Sequence, residues 1–188
     1  LLAAGNVAVL EIGSGQTILL YIRNGRVTVA QSFRSGALRT RELVEAGGAT
    51  GPQLKGVLKA YATELVEQIV QAIPREKISA LVVMGAGARF AAEESGALPV
   101  APGSRVAVAA TARLAELADQ VAATPAVALV KEHKMAFQDA ETVAPALMSV
   151  AQAARALKVK EVYVAQATLR DGLLRDMAMR DHRSAGFE

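Results

Sequence analysis

"VLEIGSGQTILLYI", residues 9–22, decides how the chain begins to fold. An apolar run ends in an acid, turns on Gly13, Ser14 and Gly15, and resumes at once as a second apolar run. Two strands joined in this way make a hairpin. Its turn is either a plain turn or one built to hold an anion against exposed backbone amides. Upstream, "NVAVLEI" (6–12) supplies the first strand; downstream, "QTILLYIR" (16–23) and "RVTVAQSF" (26–33) follow, with Asn24-Gly25 between them as a two-residue hairpin signal. Three strands therefore meander antiparallel.

After Gly51 and Pro52, Leu54, Leu58, Tyr61, Leu65 and Ile69 recur at helical spacing until Pro74, which predicts a crossover helix. "ISALVVM" (78–84) reads as a strand buried on both faces, and a helix opens after Gly85, Ala86 and Gly87. "GALPVAPGS" (96–104) reads as a loop, and two or three alanine-rich helices are expected over 106–137. A helix from about Asp139 to Leu157, with Val143, Leu147, Val150 and Ala154 on one face, precedes a strand "EVYVAQ" (161–166) and a last helix from about Leu169 to Met179. The order is βββαβα, extra helices, then αβα.

A chain of 188 residues supports one domain that buries roughly 70% of the surface its unfolded form exposes. With 52% hydrophobic and 21% charged residues it is globular, and its aromatic poverty predicts an aliphatic, alanine-rich core. The longest apolar stretches are broken by glycine well short of the roughly 20 residues a membrane span needs, so a soluble protein with no membrane partner is expected. The absence of cysteine rules out disulfides and thiolate metal sites and fits a reducing, cytoplasmic location. The opening at Leu1, mid-phrase and without a signal-peptide pattern, reads as a piece of something longer.

The net charge is +3, but Ile12 to Arg41 contains five arginines (Arg23, Arg26, Arg34, Arg39, Arg41) and no acid. Anions are favoured there, although basic residues also guard sheet edges. Nucleic acid is not expected as a partner, because no aromatic residues are interleaved for base stacking.

"GSGQTI" lacks the third glycine of a dinucleotide fingerprint and leads into a strand rather than a helix, and no Gly-Lys-Ser/Thr follows it. What remains is an anion nest in which Gly13, Ser14 and Gly15 adopt positive φ, with Gln16 and Thr17 adding polar side chains, or an ordinary glycine turn. The second site, Gly85, Ala86 and Gly87, offers helix N-terminal amides worth about 0.3 to 1 kcal/mol toward an anion, or is a tight strand-to-helix turn. Two such corners at one sheet end, with arginines nearby, would make a phosphate cleft.

These motifs resemble the exopolyphosphatase and guanosine pentaphosphate phosphatase family of the actin-like, sugar kinase and heat-shock chaperone superfamily. "VLEIGSGQTI" is similar to its Asp-Ile-Gly-Gly-Gly-Ser-Thr-Glu phosphate turn, and "SGALRTRE" (35–42), containing Arg39, to its Gly-Ala-Val-Arg-Leu-Thr-Glu segment. "MGAGARFAAE" stands where the family has its second glycine turn, "DAETVAPALM" (139–148) replaces an Arg-Ala-Asp helix start, and "TLRDGLL" (168–174) resembles the closing Gly-Leu-Arg-Glu-Gly-Leu-Leu. The resemblance implies an α/β, actin-like (ribonuclease H-like) domain: a three-stranded antiparallel meander extended by parallel strands, helices on both faces, and a helical insertion at about 98–137. It implies that residues 1–188 form a single second lobe, the partner of a first lobe that carries the catalytic glutamate and a substrate arginine. The implied reaction is removal of a terminal phosphate from polyphosphate or guanosine pentaphosphate by magnesium-activated water. Glu11 would be the catalytic and metal-binding carboxylate; Gly13, Ser14, Gly15, Gln16, Thr17, Gly85, Ala86, Gly87 and Arg39 would hold phosphate. A homodimer is a further partner under this reading.

The departures fall on the carboxylates. Glu11 replaces the turn aspartate and is one methylene longer, and Ile18 stands in place of the family's glutamate. Losing a positioned acid or base typically costs 10²- to 10⁴-fold in rate, roughly 3 to 5.5 kcal/mol. An alternative is therefore a catalytically degenerate module that binds the same anions without turning them over, and a third reading is a scaffold lobe without a ligand. The isolated chain is expected to be inactive as an enzyme. His133 and His182 read as solvated surface residues, Arg170, Asp171, Arg175 and Asp176 as weak surface pairs, and Asp139 with Glu141 as acids favouring a helix start.

Overall fold

The computed structural model describes residues 5–50 and 52–184; Leu1, Gly51 and the side chain of His182 lie outside the described residues. The meander forms as the alternation predicts. Strand β1 (Asn6–Ile12) pairs antiparallel with β2 (Thr17–Arg23), which pairs antiparallel with β3 (Arg26–Phe33). Asn24 at φ +48° and Gly25 at φ +78° close the second hairpin, the left-handed pair that a two-residue turn between twisted strands requires.

Helix α1 (Ala37–Ala46) follows, an element the sequence reading leaves unassigned because its arginines and acids obscure a narrow buried stripe of Ala37, Thr40 and Val44. Helix α2 (Pro52–Ala72) buries Leu58, Leu65 and Ile69 as its periodicity demands. Strand β4 (Ala80–Met84) then runs parallel to β1, with Glu11 beside Met84. Helix α3 (Ala86–Glu94) leaves from its C-terminal end.

The stretch after α3 corrects the expectation of a loop and then helices only. Leu98–Pro99 is a short strand, β5, and Val106–Ala110 is a strand, β6, paired with each other and with β7 (Glu161–Ala165). Helical structure begins only at α4 (Thr111–Ala123) and α5 (Ala126–His133), so the region expected as a helical insertion from about 98 opens with a hairpin. In β6 the alanines, Ala107 and Ala109, face the core while Val106 is only partly buried, which hides the strand among helix-forming alanines. Helix α6 (Phe137–Ala156) and α7 (Leu169–Ser184) complete the chain.

The seven strands form one sheet in the order β3-β2-β1-β4-β7-β6-β5. β1, β4 and β7 are mutually parallel at its centre, and the strands on either side are antiparallel to their neighbours. The main core joins Leu10, Leu19, Leu81, Val83 and Val164 to buried residues of helices α1 to α6. Each fully buried aliphatic side chain contributes about 1.5 to 3 kcal/mol. The second cluster, around Val7, Val9, Ile22 and Val82, consists of strand residues. The buried residues of α1 to α6 join the first of these clusters, and Arg170 to Met179 of α7 are exposed.

Candidate functional site

The two glycine corners come to the same end of the sheet. β1 and β4 are parallel neighbours, so the turn Gly13–Gln16 and the turn at Gly85 both leave from C-terminal strand ends. They touch: a Cβ placed on Gly85 would lie 2.6 Å from the Ile12 carbonyl oxygen, and Gly85 sits at φ +113°. Both space and dihedral demand glycine there.

At the first corner the chemistry differs from the nest expected. Neither Gly13 nor Gly15 has positive φ among the described residues. The Gly13 N–H donates to the Gln16 carbonyl at 3.0 Å. The turn carbonyls face the first turn of α1: Gly13 O accepts from Ala37 N–H at 2.9 Å, and Ser14 O accepts from Leu38 N–H at 2.9 Å and Arg39 N–H at 3.2 Å. The turn therefore caps α1, which has no side-chain cap of its own. Gly36 is the residue this arrangement requires, because a Cβ on it would lie 2.5 Å from the Gln16 nitrogen and closer still to the Ser14 oxygen. The sequence reading passes over Gly36 as a site residue; its need is steric and becomes visible only when residues far apart in sequence meet.

Ser14, Gly15 and Gln16 are exposed, so the outer rim of the turn faces solvent, and Gln16 Oε1 accepts from the Ser32 hydroxyl at 2.9 Å. Thr17 does not reach that rim. It is completely buried and its hydroxyl donates to the Ser35 carbonyl at 2.6 Å, tying the start of β2 to the segment that leads into α1. Arg39 is exposed on the first turn of α1.

At the second corner the amides are open. The first helical bond of α3 runs from Arg89 N–H to Gly85 O at 3.1 Å, and the N–H groups of Ala86, Gly87 and Ala88 find no acceptor among the described residues. Ala86 is exposed, while Gly87 is buried where a Cβ would meet the Ala146 Cβ of α6 at 2.5 Å. A cavity of about 260 Å³ lies beside this helix start, lined by Ala86, Gly87, Arg89, Lys134, Asp139 and Thr142 among others. It does not include the Gly13–Gln16 turn, so the corners adjoin without sharing one enclosed pocket.

Glu11 lies on β1 directly opposite Ile18 of β2, with Met84 as its neighbour on β4. No group of three or more acidic or histidine side chains suited to a metal ion occurs among the described residues. Glu11 is thus a single carboxylate on an otherwise apolar patch. It fits magnesium only in the way that ion binds through one carboxylate together with substrate phosphates.

The remaining readings are revised by their contacts. His133 is half-buried, with its ring edge-on to Phe90 at 5.0 Å and Nδ1 3.1 Å from a Glu94 oxygen, rather than solvated. Asp171 and Thr168 cap the N-terminus of α7 reciprocally: Asp171 accepts from the Thr168 N–H at 2.7 Å and hydroxyl at 2.9 Å, and Thr168 Oγ1 accepts from Asp171 N–H at 3.1 Å. These bonds, backbone first, hold the Asp171 carboxyl below its usual range. Asp139 lies in the first turn of α6, whereas Glu141 grips Arg41 of α1 with both oxygens, at 2.7 and 2.6 Å.

No protein-family model and no curated protein matches the chain. Solved structures do. A member of the Ppx/GppA protein family from Aquifex aeolicus superposes with a TM-score of 0.76 at 17% identity, covering 95% of this chain and 57% of that one. An exopolyphosphatase from Cytophaga hutchinsonii superposes with 0.76 at 15% identity, covering 94% and 58%. An exopolyphosphatase-like protein gives 0.74 at 14%, covering 93% and 60%. The chain spans a little over half the length of these structures, and what it shares with them at such identities is the fold. No helix among the described residues is long and apolar enough to cross a membrane.

Proposed function

We propose that this chain is a lobe of an exopolyphosphatase or guanosine pentaphosphate phosphatase, and that in the longer protein it holds phosphoryl oxygens while a first lobe completes the cleft. The carrying observation is the contact of Gly85 with the Ile12 carbonyl, which sets the open amides of α3 beside the exposed rim of the Gly13–Gln16 turn. Main-chain N–H groups fixed before the substrate arrives stabilise developing phosphoryl charge without reorganisation. Arg39 adds positive charge at the same end, and Glu11 with substrate oxygens would bind magnesium. Removal of a terminal phosphate places the attacking water opposite the leaving oxygen, and the water-activating base is assigned to the first lobe, where the resemblance puts the catalytic glutamate.

The pairing of Glu11 with Ile18 favours a second reading, in which the lobe binds polyphosphate or a guanosine alarmone without hydrolysing it. One substitution separates the two. In the full-length protein, Ile18→Glu is expected to raise phosphate release from polyphosphate at least tenfold if the site is hydrolytic by construction, and to leave it unchanged if the lobe only binds. Titrating the chain with tripolyphosphate while following backbone amide shifts tests both at once: shifts are expected at Ser14, Gly15, Ala86 and Gly87, and silence at all four would overturn the phosphate site itself.

A further inference from the structure

Away from the sheet end, helices α1, α2 and α6 and the link between α4 and α5 line an open cavity of about 710 Å³. That is within the roughly 300 to 1,000 Å³ of small-molecule sites. Its floor is aliphatic, with Val44, Leu54, Leu58, Val121, Leu129 and Ala144 among its lining residues. Its charged wall is Arg41, Glu45 and Glu141.

The wall is richer in acceptors than its arginine suggests. Arg41 is already engaged, by Glu141 through two nitrogens and by Glu45 through Nε at 3.0 Å and a terminal nitrogen at 2.7 Å. One guanidinium shared between two carboxylates leaves a net negative charge. Pro145 adds to it. It lies inside α6 and lines the same cavity as Glu141, one turn earlier. A proline has no N–H, so the Glu141 carbonyl lacks its i+4 helical donor. Lys55, the other cation on the rim, is paired with Asp119 at 2.9 Å. A carboxylate or phosphate ligand would meet acceptors, whereas a protonated amine on an apolar body would find both its partners.

We propose that this cavity binds a primary amine carried on an aliphatic chain, with the ammonium group against Glu45 and the Glu141 carbonyl and the hydrocarbon along Leu54, Leu58 and Ala144. The probes are n-octylamine, n-octanol and octanoate, titrated separately into the full chain with calorimetry and backbone NMR. Octylamine should bind with shifts centred on Leu54 and Ala144, and octanoate at least tenfold more weakly. Glu45→Gln, at an exposed position, should weaken octylamine about fivefold while leaving octanol unchanged. Ala144→Leu should weaken both octylamine and octanol at least tenfold by filling the floor; since it could also disturb packing, its circular dichroism is compared with that of Glu45→Gln. Equal affinities for octylamine and octanoate, or shifts confined to the glycine corners, would overturn the assignment. The tripolyphosphate titration reads a different surface, so either result can fail without the other.

Discussion

At one corner Gly13 and Gly15 hold ordinary φ, and the turn points its carbonyls into α1. At the other, Gly85 holds φ +113°, and the first three amides of α3 have no acceptor among the described residues. The corners touch through Ile12 and look alike in sequence, two glycines flanking one small residue. Their physical reasons are nevertheless opposite. The first is a cap whose required glycine, Gly36, stands in another segment. The second is an exit from a buried strand through a backbone conformation that only glycine takes without strain. A glycine motif therefore identifies a place where backbones meet, and only the direction of the amides says whether a ligand can join them.

The difference is sharpest at Gly85. Gly85→Ala forces a Cβ against the Ile12 oxygen at positive φ, and backbone strain plus overpacking predict a loss of about 3 kcal/mol or more, read as a fall in the urea midpoint at unchanged slope. If the variant proved as stable as the parent, neither the dihedral nor the Ile12 oxygen would demand glycine at this corner. Gly36→Ala and Gly15→Ala form the next contrast. The first should cost about 1 to 3 kcal/mol by pushing α1 off the turn. At Gly15 a Cβ meets nothing within 4 Å. Alanine there should be neutral, or stabilising by up to about 1 kcal/mol through a stiffer unfolded chain. Reversal of that order would make Gly15, and not Gly36, the residue the first corner needs.

The smallest effect is expected at the start of α7. Asp171 has a folded pKa depressed by its bonds to Thr168, so its contribution is present above the unfolded value and is lost as pH falls through the depressed one. On acidification below about pH 4, amide exchange should rise first in the opening turn of α7, and Asp171→Asn should remove that pH dependence. Exchange that rises in step with the whole sheet would tie α7 to the core more closely than its exposed side chains suggest.

Much of this arrangement is legible from residues alone. The Asn24-Gly25 hairpin fixes β2 against β3, and the four-residue turn after Ile12 puts Glu11 opposite Ile18, so the apolar neighbour of Glu11 can be read from spacing. The long α2 and α6 stripes are equally plain. Strand β6 escapes because its core-facing residues are alanines, and α1 because only three side chains are buried while Leu38 and Leu43 stand exposed among its arginines and glutamates. Thr17 looks like a ligand for phosphate but alternates inward with Leu19 and Tyr21, a parity the strand register imposes once the turn length is known. The capping role of the first turn depends on Gly36 approaching Ser14, a tertiary contact with no local signature.

The two outermost strands of the sheet deserve a last consequence. β5 is two residues long and one of them is Pro99; β3, at the other margin, begins with Arg26 and carries a register shift against β2 between Tyr21 and Ile22. A stub without one of its donors and an irregular border with a charge at its start both disfavour an incoming strand. Copies of this chain therefore have little means to zip together into a continuous ladder, and any self-association has to come about broadside, through faces or helices, which leaves the sheet end that carries the glycine corners unobstructed by sheet growth.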